Sequence, residues 1–442
     1  MPVTYPDAIE FLYRLRWFGA KFGLENTRKL AELAGNPQER LRFIHVAGTN
    51  GKGSTCAMLE SIYRAGGLRV GLFTSPHLVA FGERIQVNRE PISESEIIRQ
   101  VADLEVLLRR GWSGLPGDAH PTFFEVVTVM ALRYFEAQKC DLVIWETGLG
   151  GRLDATNIVT PLASVITNIQ FDHQKWLGET LASIASEKAG IIKPGVPLIT
   201  GVHKPEPFEV IRATAAEKRA PITRVPPEAA DEPPLDEIDL PLLGRHQRLN
   251  AAVALATVRA LQSTLPVSDP ALRTGLGQVS WFGRLQLVTR ASGQQVLLDG
   301  AHNISGVEAL VAALRQYFPG VKPALVLGIL RDKDWPAMCE LLAPLARHIL
   351  LVPVHSERTA EPHGLAEACQ RANPAALVRE YDCLAAALAE TAADEFVTIA
   401  GSLYLIGEAL ETLGVSPGKS SQERALNEWQ PGPGPRKKET AI

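Results

Sequence analysis

The run from Ile44 to Thr55 is an apolar stretch that breaks into glycines and then presents a lysine and two hydroxyls. Gly48, Gly51 and Gly53, with Thr49 and Asn50 between the first two, let successive backbone N–H groups converge on one anion. Lys52 adds a point charge against the outer phosphates, and Ser54 or Thr55 can offer an oxygen to Mg²⁺. The implied chemistry is the binding and spending of a nucleoside triphosphate. The spacing is not that of the ordinary phosphate loop, because Gly53 intervenes between the lysine and the hydroxyls. A strand-turn-helix connection whose glycines serve only the turn is the plainer alternative. The helical spacing of Ala57, Met58, Ile62 and Ala65 just downstream favours the loop.

Four further groups could act on a phosphate. Glu146 to Asn157 brings a carboxylate and Arg152 out of a glycine turn. It is not a dinucleotide fingerprint, whose third glycine would fall at Leu153. Glu146 suits a hard cation, and an ion pair with Arg152 is the competing reading. Asp172-His173 follows closely; a lone histidine is more often a structural hydrogen-bonding residue than a ligand, but the nearby carboxylate and phosphate loop shift the balance toward a second metal at His173. Lys188 sits in the last turn of a helix ending at Gly190, where the helix dipole favours a cation without any ligand. Asp299-Gly300-Ala301-His302-Asn303 could clamp a nucleotide, with Asp299 on a ribose, His302 on a phosphate and Arg284 as a phosphate fork. Two ordinary polar turns would explain the last group equally.

These residues need elements that bring them to one edge. Short aliphatic runs at 142–145, 164–167, 196–200, 296–298, 324–327, 349–352 and 396–399 alternate with helical patterns, which argues for mainly parallel sheets. In such sheets ligands collect beyond the carboxyl ends of strands, where Glu146, Asn168 and Asp299 fall. The expected fold is α/β: a phosphate-loop nucleotide-binding domain at 1–288 and a smaller Rossmann-like α/β domain at 289–415. Residues 416–442, rich in proline and glycine, are expected to be a disordered tail. The acidic, proline-rich stretch 225–240 is expected to run over the surface of the first domain.

At 442 residues the chain exceeds one growing core, so two domains are natural. A net charge of −4, with 46% hydrophobic residues, gives no broad attraction for nucleic acid or anionic lipid. Five cysteines without a Cys-x-x-Cys spacing indicate neither a zinc site nor a disulfide framework. With no secretion signal and no apolar run long enough to cross a membrane, a cytoplasmic monomer without membrane or nucleic-acid partners is expected.

Taken together, the motifs resemble those of folylpolyglutamate synthase, the ATP-dependent folate–glutamate ligase related to the Mur peptide ligases. The resemblance is carried by Gly48 to Ser54, Ser75-Pro76-His77-Leu78, Glu146 to Asn157, Asp172-His173, Glu187 to Gly190, His246 to Asn250, Gly283-Arg284, Asp299 to Asn303 and Gly401-Ser402. It implies that Lys52 and the loop amides, with Thr55, hold ATP. It implies that Ser54 and Glu146 bind one Mg²⁺ and His173 helps bind a second. It also implies that Lys188 is carbamylated by CO₂, and that Asn250, Arg284, Asp299 and His302 complete the nucleotide site. Ser75, Pro76, His77, Phe123 and Arg152 would face folate. The implied reaction joins L-glutamate to a folate carboxylate through an acyl phosphate, with dihydropteroate as a further acceptor in bifunctional members. Phe282 in place of a common proline and Ala400 in place of a common threonine depart from the family pattern. A Mur-type ligase on another substrate and an ATP-hydrolysing switch are the alternatives.

Overall fold

Fully buried aliphatic strands with helices on both faces build each half of the molecule. The computed structural model describes residues 4–19, 23–113, 119–416, 418 and 423–428. The first sheet contains β1 (Phe43–Ala47), β2 (Val70–Phe73), β3 (Ile85–Val87), β4 (Glu90–Pro91), β5 (Leu142–Glu146), β6 (Ala163–Ile166), β7 (Leu198–Thr200) and β8 (Ile222–Arg224). Their order is β4-β3-β2-β5-β1-β6-β7-β8, parallel except at β3 and β4. The chain therefore places β5 on one side of β1 and β6 on the other, and the crevice beyond that switch point is where α/β sheets bind ligands. Register makes this concrete: Val46 pairs with Glu146 and Ala47 with Ile166. Gly48, Thr147 and Thr167 thus emerge together.

The second sheet contains β9 (Gln286–Thr289), β10 (Gln295–Asp299), β11 (Ala324–Leu327), β12 (His348–Leu351), β13 (Leu377–Glu380) and β14 (Phe396–Ala400). Its order is β13-β12-β11-β14-β10-β9, antiparallel only between β9 and β10. Asp299 and Leu327 both pair with Ala400, so the loops after β10, β11 and β14 share one edge. β9 begins ahead of the expected boundary at residue 289, which therefore cuts through the first strand of the second sheet.

The helix Lys52–Ala65 buries Ala57, Met58, Leu59 and Ile62 against β1, β2 and β5. Its neighbours there are the helices Arg245–Ala260 and Asp269–Gly277. Met58, Leu59 and Ile62 each contribute roughly 1.5–3 kcal/mol on burial, so the start of the helix, and the loop before it, is held rigidly. Tyr5–Leu15, Glu94–Trp112 and Phe123–Ala137 cover the opposite face. The stretch 225–240 does expose its acids, but Val225, Ala230, Leu235 and Ile238 are buried in the core and Arg248 binds the carbonyls of Ala230 and Leu235.

One expectation fails in a useful way. Within the stretch read as a disordered tail, Glu423–Asn427 forms a 3₁₀ turn with Leu426 buried in the first domain's core. The Phe81 amide donates to Glu423 Oε2 at 2.6 Å and the His77 ring donates Nε2–H to the Glu423 carbonyl at 2.9 Å. Specific polar partners, invisible in composition, order these residues. The proline-glycine run at 431–435 lies outside the described residues. All five cysteines are free thiols.

Candidate active site

The loop after β1 is shaped by contacts to β6 and by two glycines. The Thr49 and Asn50 amides donate to the Asn168 carbonyl and side chain at 3.0 and 2.9 Å, and Thr167 Oγ1 donates to the Asn50 carbonyl at 2.7 Å. A Cβ on Gly48 would lie 1.9 Å from Thr167 Oγ1, so only glycine fits so close to β6. Gly51 takes φ +82°, caps the helix that begins at Lys52, and lies against Asn250. Gly53, the departure from ordinary spacing, has a structural reason: a Cβ there would sit 3.0 Å from the Trp281 indole nitrogen.

Two lysines converge on this loop. Lys52 Nζ donates to the carbonyls of Gly48 and Thr49 at 3.2 and 3.1 Å. Lys188, carried on the helix Leu181–Ala189 and buried, donates to the same Gly48 carbonyl at 2.8 Å. Burial, reinforced by the charge of Lys52, pushes the Lys188 ammonium down to about 7. Lys188 thus sits in the helix's last turn as the spacing implied, but its side chain is buried against the phosphate loop. Glu146 ends β5 and accepts the Ser75 amide at 3.0 Å. Burial drives its carboxyl up to about 7 against the pull of Lys52. Its competing ion pair with Arg152 does not form, because Arg152 is half-exposed and pairs with Glu187 at 2.8 Å.

Asp172 and His173 stand where the domains meet. Asp172 accepts Lys333 Nζ at 2.6 Å and Asn303 Nδ2 at 3.0 Å, and lies 3.6 Å from His302 Nε2. Burial alone would raise its carboxyl, but the nearby His302 ring and the charge of Lys333 outweigh it and hold it well below the usual range. His173 is pushed down to about 3, mainly by burial, so its ring is neutral. Asn50 and Asn303 exchange amide hydrogen bonds at 3.1 and 3.0 Å across the same cleft. Asp299 spends both oxygens on backbone, accepting the Leu285 and Ala301 amides at 2.9 Å each, and so builds the turn that carries His302. Arg284 is half-buried beside Asp299, and Asn250 binds Gln247 at 3.1 Å.

Two cavities open from this junction. The first, of about 360 Å³, is lined by Gly48 to Ser54, Glu146, His173, Lys188, Asn250, Arg284, Asp299 and His302. The second, of about 270 Å³, has Phe123, Phe124, Arg84 and Arg16 on the first domain and Lys333, Arg358 and Tyr404 on the second. Ser75, Pro76, Gly148, Leu149, His173, His302 and Leu403 line both. Three sequence-predicted residues stand apart. Thr55 is buried behind the loop and lines neither cavity, nor does Arg152. His77 is locked between Arg84, which donates to Nδ1 at 2.8 Å, and the Glu423 carbonyl, and lines neither cavity. Lys333 and Arg358 were not singled out as site residues. The cluster Arg331 to Asp334, just beyond a predicted strand, was the available signal for Lys333.

Known proteins match this chain over both domains. Residues 46–258 fit the Mur ligase middle domain and residues 283–403 the Mur ligase, glutamate ligase domain. The dihydrofolate synthase/folylpolyglutamate synthase of Bacillus subtilis is 37% identical over 93% of the chain and 100% of its own length. The structure of Escherichia coli FolC in complex with DHPP and ADP superposes with a TM-score of 0.81 at 32% identity, covering 94% of this chain and 99% of that one. The Mycobacterium tuberculosis folylpolyglutamate synthase complexed with ADP gives 0.84 at 30% identity, over 94% and 100%.

Proposed function

The chain belongs to the folylpolyglutamate synthase and dihydrofolate synthase family of Mur ligases, and from that premise we propose how its own residues carry out the ATP-dependent ligation of glutamate to folate. One observation carries the assignment of roles: a polar cavity around the phosphate loop and an aromatic-walled cavity share a wall at Ser75, His173 and His302. A γ-phosphate in the first and a folate carboxylate in the second meet at that wall.

A carboxylate oxygen of the folate attacks the γ-phosphorus of ATP, and the bond to the β-phosphate oxygen breaks to release ADP. The amine of L-glutamate then attacks the acyl carbon, phosphate departs, and the ammonium proton is lost to solvent. Lys52, now resting on loop carbonyls, swings onto the outer phosphates. The loop amides and Arg284 spread the charge of the transferred group, and Asn250 holds the loop. Catalysis is positioning and electrostatics, and the joined domains keep water from the acyl phosphate. Phe123, with the Arg84 guanidinium 5.4 Å above its ring, forms the pterin wall.

Mg²⁺ fits the donors present. One buried carboxylate, Glu146, and one buried hydroxyl, Ser54, face the first cavity. That set is too small for an all-protein cage and suits an ion shared with phosphate oxygens, whose charge it neutralises. The neutral His173 suits a second ion, but an ammonium at Lys188 would repel it. Lys188 is buried and easily deprotonated, so its free amine adds CO₂ with loss of a proton and becomes an anionic carbamate.

The test is mass analysis of products from purified protein with ATP, Mg²⁺, L-glutamate and either tetrahydrofolate or dihydropteroate, with ADP followed in parallel. A glutamate-sized gain on tetrahydrofolate is expected, and the same gain on dihydropteroate makes the protein bifunctional. ADP release independent of glutamate, with no pterin gaining mass, overturns the role assignment.

A further inference from the structure

The second cavity already contains a glutamate side chain, that of the protein itself. Glu428, buried at the end of the C-terminal turn, accepts Arg358 Nε on Oε2 at 2.9 Å and Ser356 Oγ on Oε1, while Arg16 Nε donates to its carbonyl at 2.8 Å. Arg358 is itself buried and oriented by Tyr404, whose hydroxyl accepts from Nη2 at 3.1 Å, and by Asp332 at 3.4 Å. Ser356 and Arg358 lie on the loop after β12, and Tyr404 starts the helix after β14. This built carboxylate pocket thus belongs to the strand-end edge of the second domain.

Resting on the ligase reading above, we propose that the Arg358–Ser356 pocket receives a carboxylate of the incoming amino acid, and that Glu428 occupies the pocket in the free protein as a tethered competitor. Folate is walled by Phe123 and Arg84 on the first domain, so the amine that attacks its acyl phosphate must approach from the second. A free dicarboxylic amino acid needs a cation on that side, where Lys333 and Arg358 line the cavity. Lys333 is held by Asp172, whereas Arg358 holds the same functional group that the substrate would bring. A tethered occupant lowers apparent affinity by the fraction of molecules whose pocket is open. Displacing Glu428 leaves the turn's other anchors at His77, Phe81 and Arg84 in place.

The test is a steady-state comparison of the full chain with Glu428→Gln and Arg358→Met. Glu428→Gln keeps the Arg16 contact and the side-chain shape but removes the competing charge. It is expected to lower KM for L-glutamate about five- to tenfold, with KM for ATP and for folate unchanged. Arg358→Met is expected to raise KM for L-glutamate at least tenfold. An unchanged or raised glutamate KM in Glu428→Gln, or a fall in the folate KM instead, overturns the inference. Hydrogen exchange on the wild-type protein gives a second readout free of any folding defect. Saturating L-glutamate, with ADP and folate present, should speed exchange at the Glu428 amide, which donates to the Ala425 carbonyl, and no change there overturns the displacement. Wild-type protein that forms no glutamate-dependent product defeats both readings. Ligation with neither effect defeats this one alone.

Discussion

Glu146 and Lys188 are opposite charges tuned toward neutrality by the same burial, and this sets two predictions. The Glu146 carboxyl is raised from 4.5 to about 7, so the stability it contributes is present below 4.5 and is lost as pH rises through 7. The loss in the ligand-free protein amounts to about 3 kcal/mol at most. Glu146→Gln should therefore melt higher than wild type at pH 8, with the difference vanishing near pH 4.5, while ligation falls at least a hundredfold; calorimetry and product assays check the two halves. Lys188 runs the other way: its stability contribution is present above 10.5 and is lost as pH falls through about 7. Near pH 8 its amine is free, and ¹³C-labelled bicarbonate should give a carbamate resonance that Lys188→Ala lacks and that fades below pH 7. Most cavity-lining residues were legible because strand-end position and residue type coincide, as at Lys52, Glu146 and Asp299. His77 and Arg152 were not, because spacing does not say which partner a side chain will find. Each is claimed by a distant residue, His77 by Glu423 and Arg152 by Glu187.

At the level of elements, every aliphatic run read as a strand is one, since burial on both faces demands continuous apolar sequence. The strands missed are β2, β3, β4, β8, β9 and β13. All but β2 are short and sit at or near sheet edges, where polar residues such as Gln286 and Arg379 are tolerated and the signal disappears. The buried β2 is only four residues long, and its aliphatic run is broken by Gly71, which packs against Phe135. The phosphate loop was read from its glycines, and its geometry now says which substitution should break it. At Gly51 the positive φ strains any L-residue, and an added Cβ would lie 2.4 Å from Asn250 Oδ1. Gly51→Ala should weaken nucleotide binding by about 1–3 kcal/mol, roughly ten- to a hundredfold in the dissociation constant measured by titration calorimetry. The core beneath the helix Lys52–Ala65 does not contact that position, so far-ultraviolet circular dichroism should be unchanged.

For the molecule as a whole, the cleft is held by a contact set centred on one carboxylate. Asp172 leaves the first domain's sheet edge and meets Lys333, Asn303 and His302, all from the second domain. Its carboxyl is held well below its ordinary value, so the stability it contributes is present above that value and is lost only in strong acid. This clasp stays charged across the neutral and mildly acidic range. Removing one member of a buried pair normally costs about 3–5 kcal/mol, because the other is stranded without water. Here the domains can part and let Lys333 hydrate, so the strain has an outlet other than unfolding. Asp172→Asn should accordingly leave each domain's secondary structure intact while increasing the radius of gyration seen by small-angle X-ray scattering. ADP should bind less tightly, because the second-domain residues proposed to meet the nucleotide, Asp299 and His302, are no longer held against the loop. A variant that scatters like wild type and binds ADP equally well would mean that the Asn50–Asn303 pair and the linker around Trp281 suffice to keep the cleft closed.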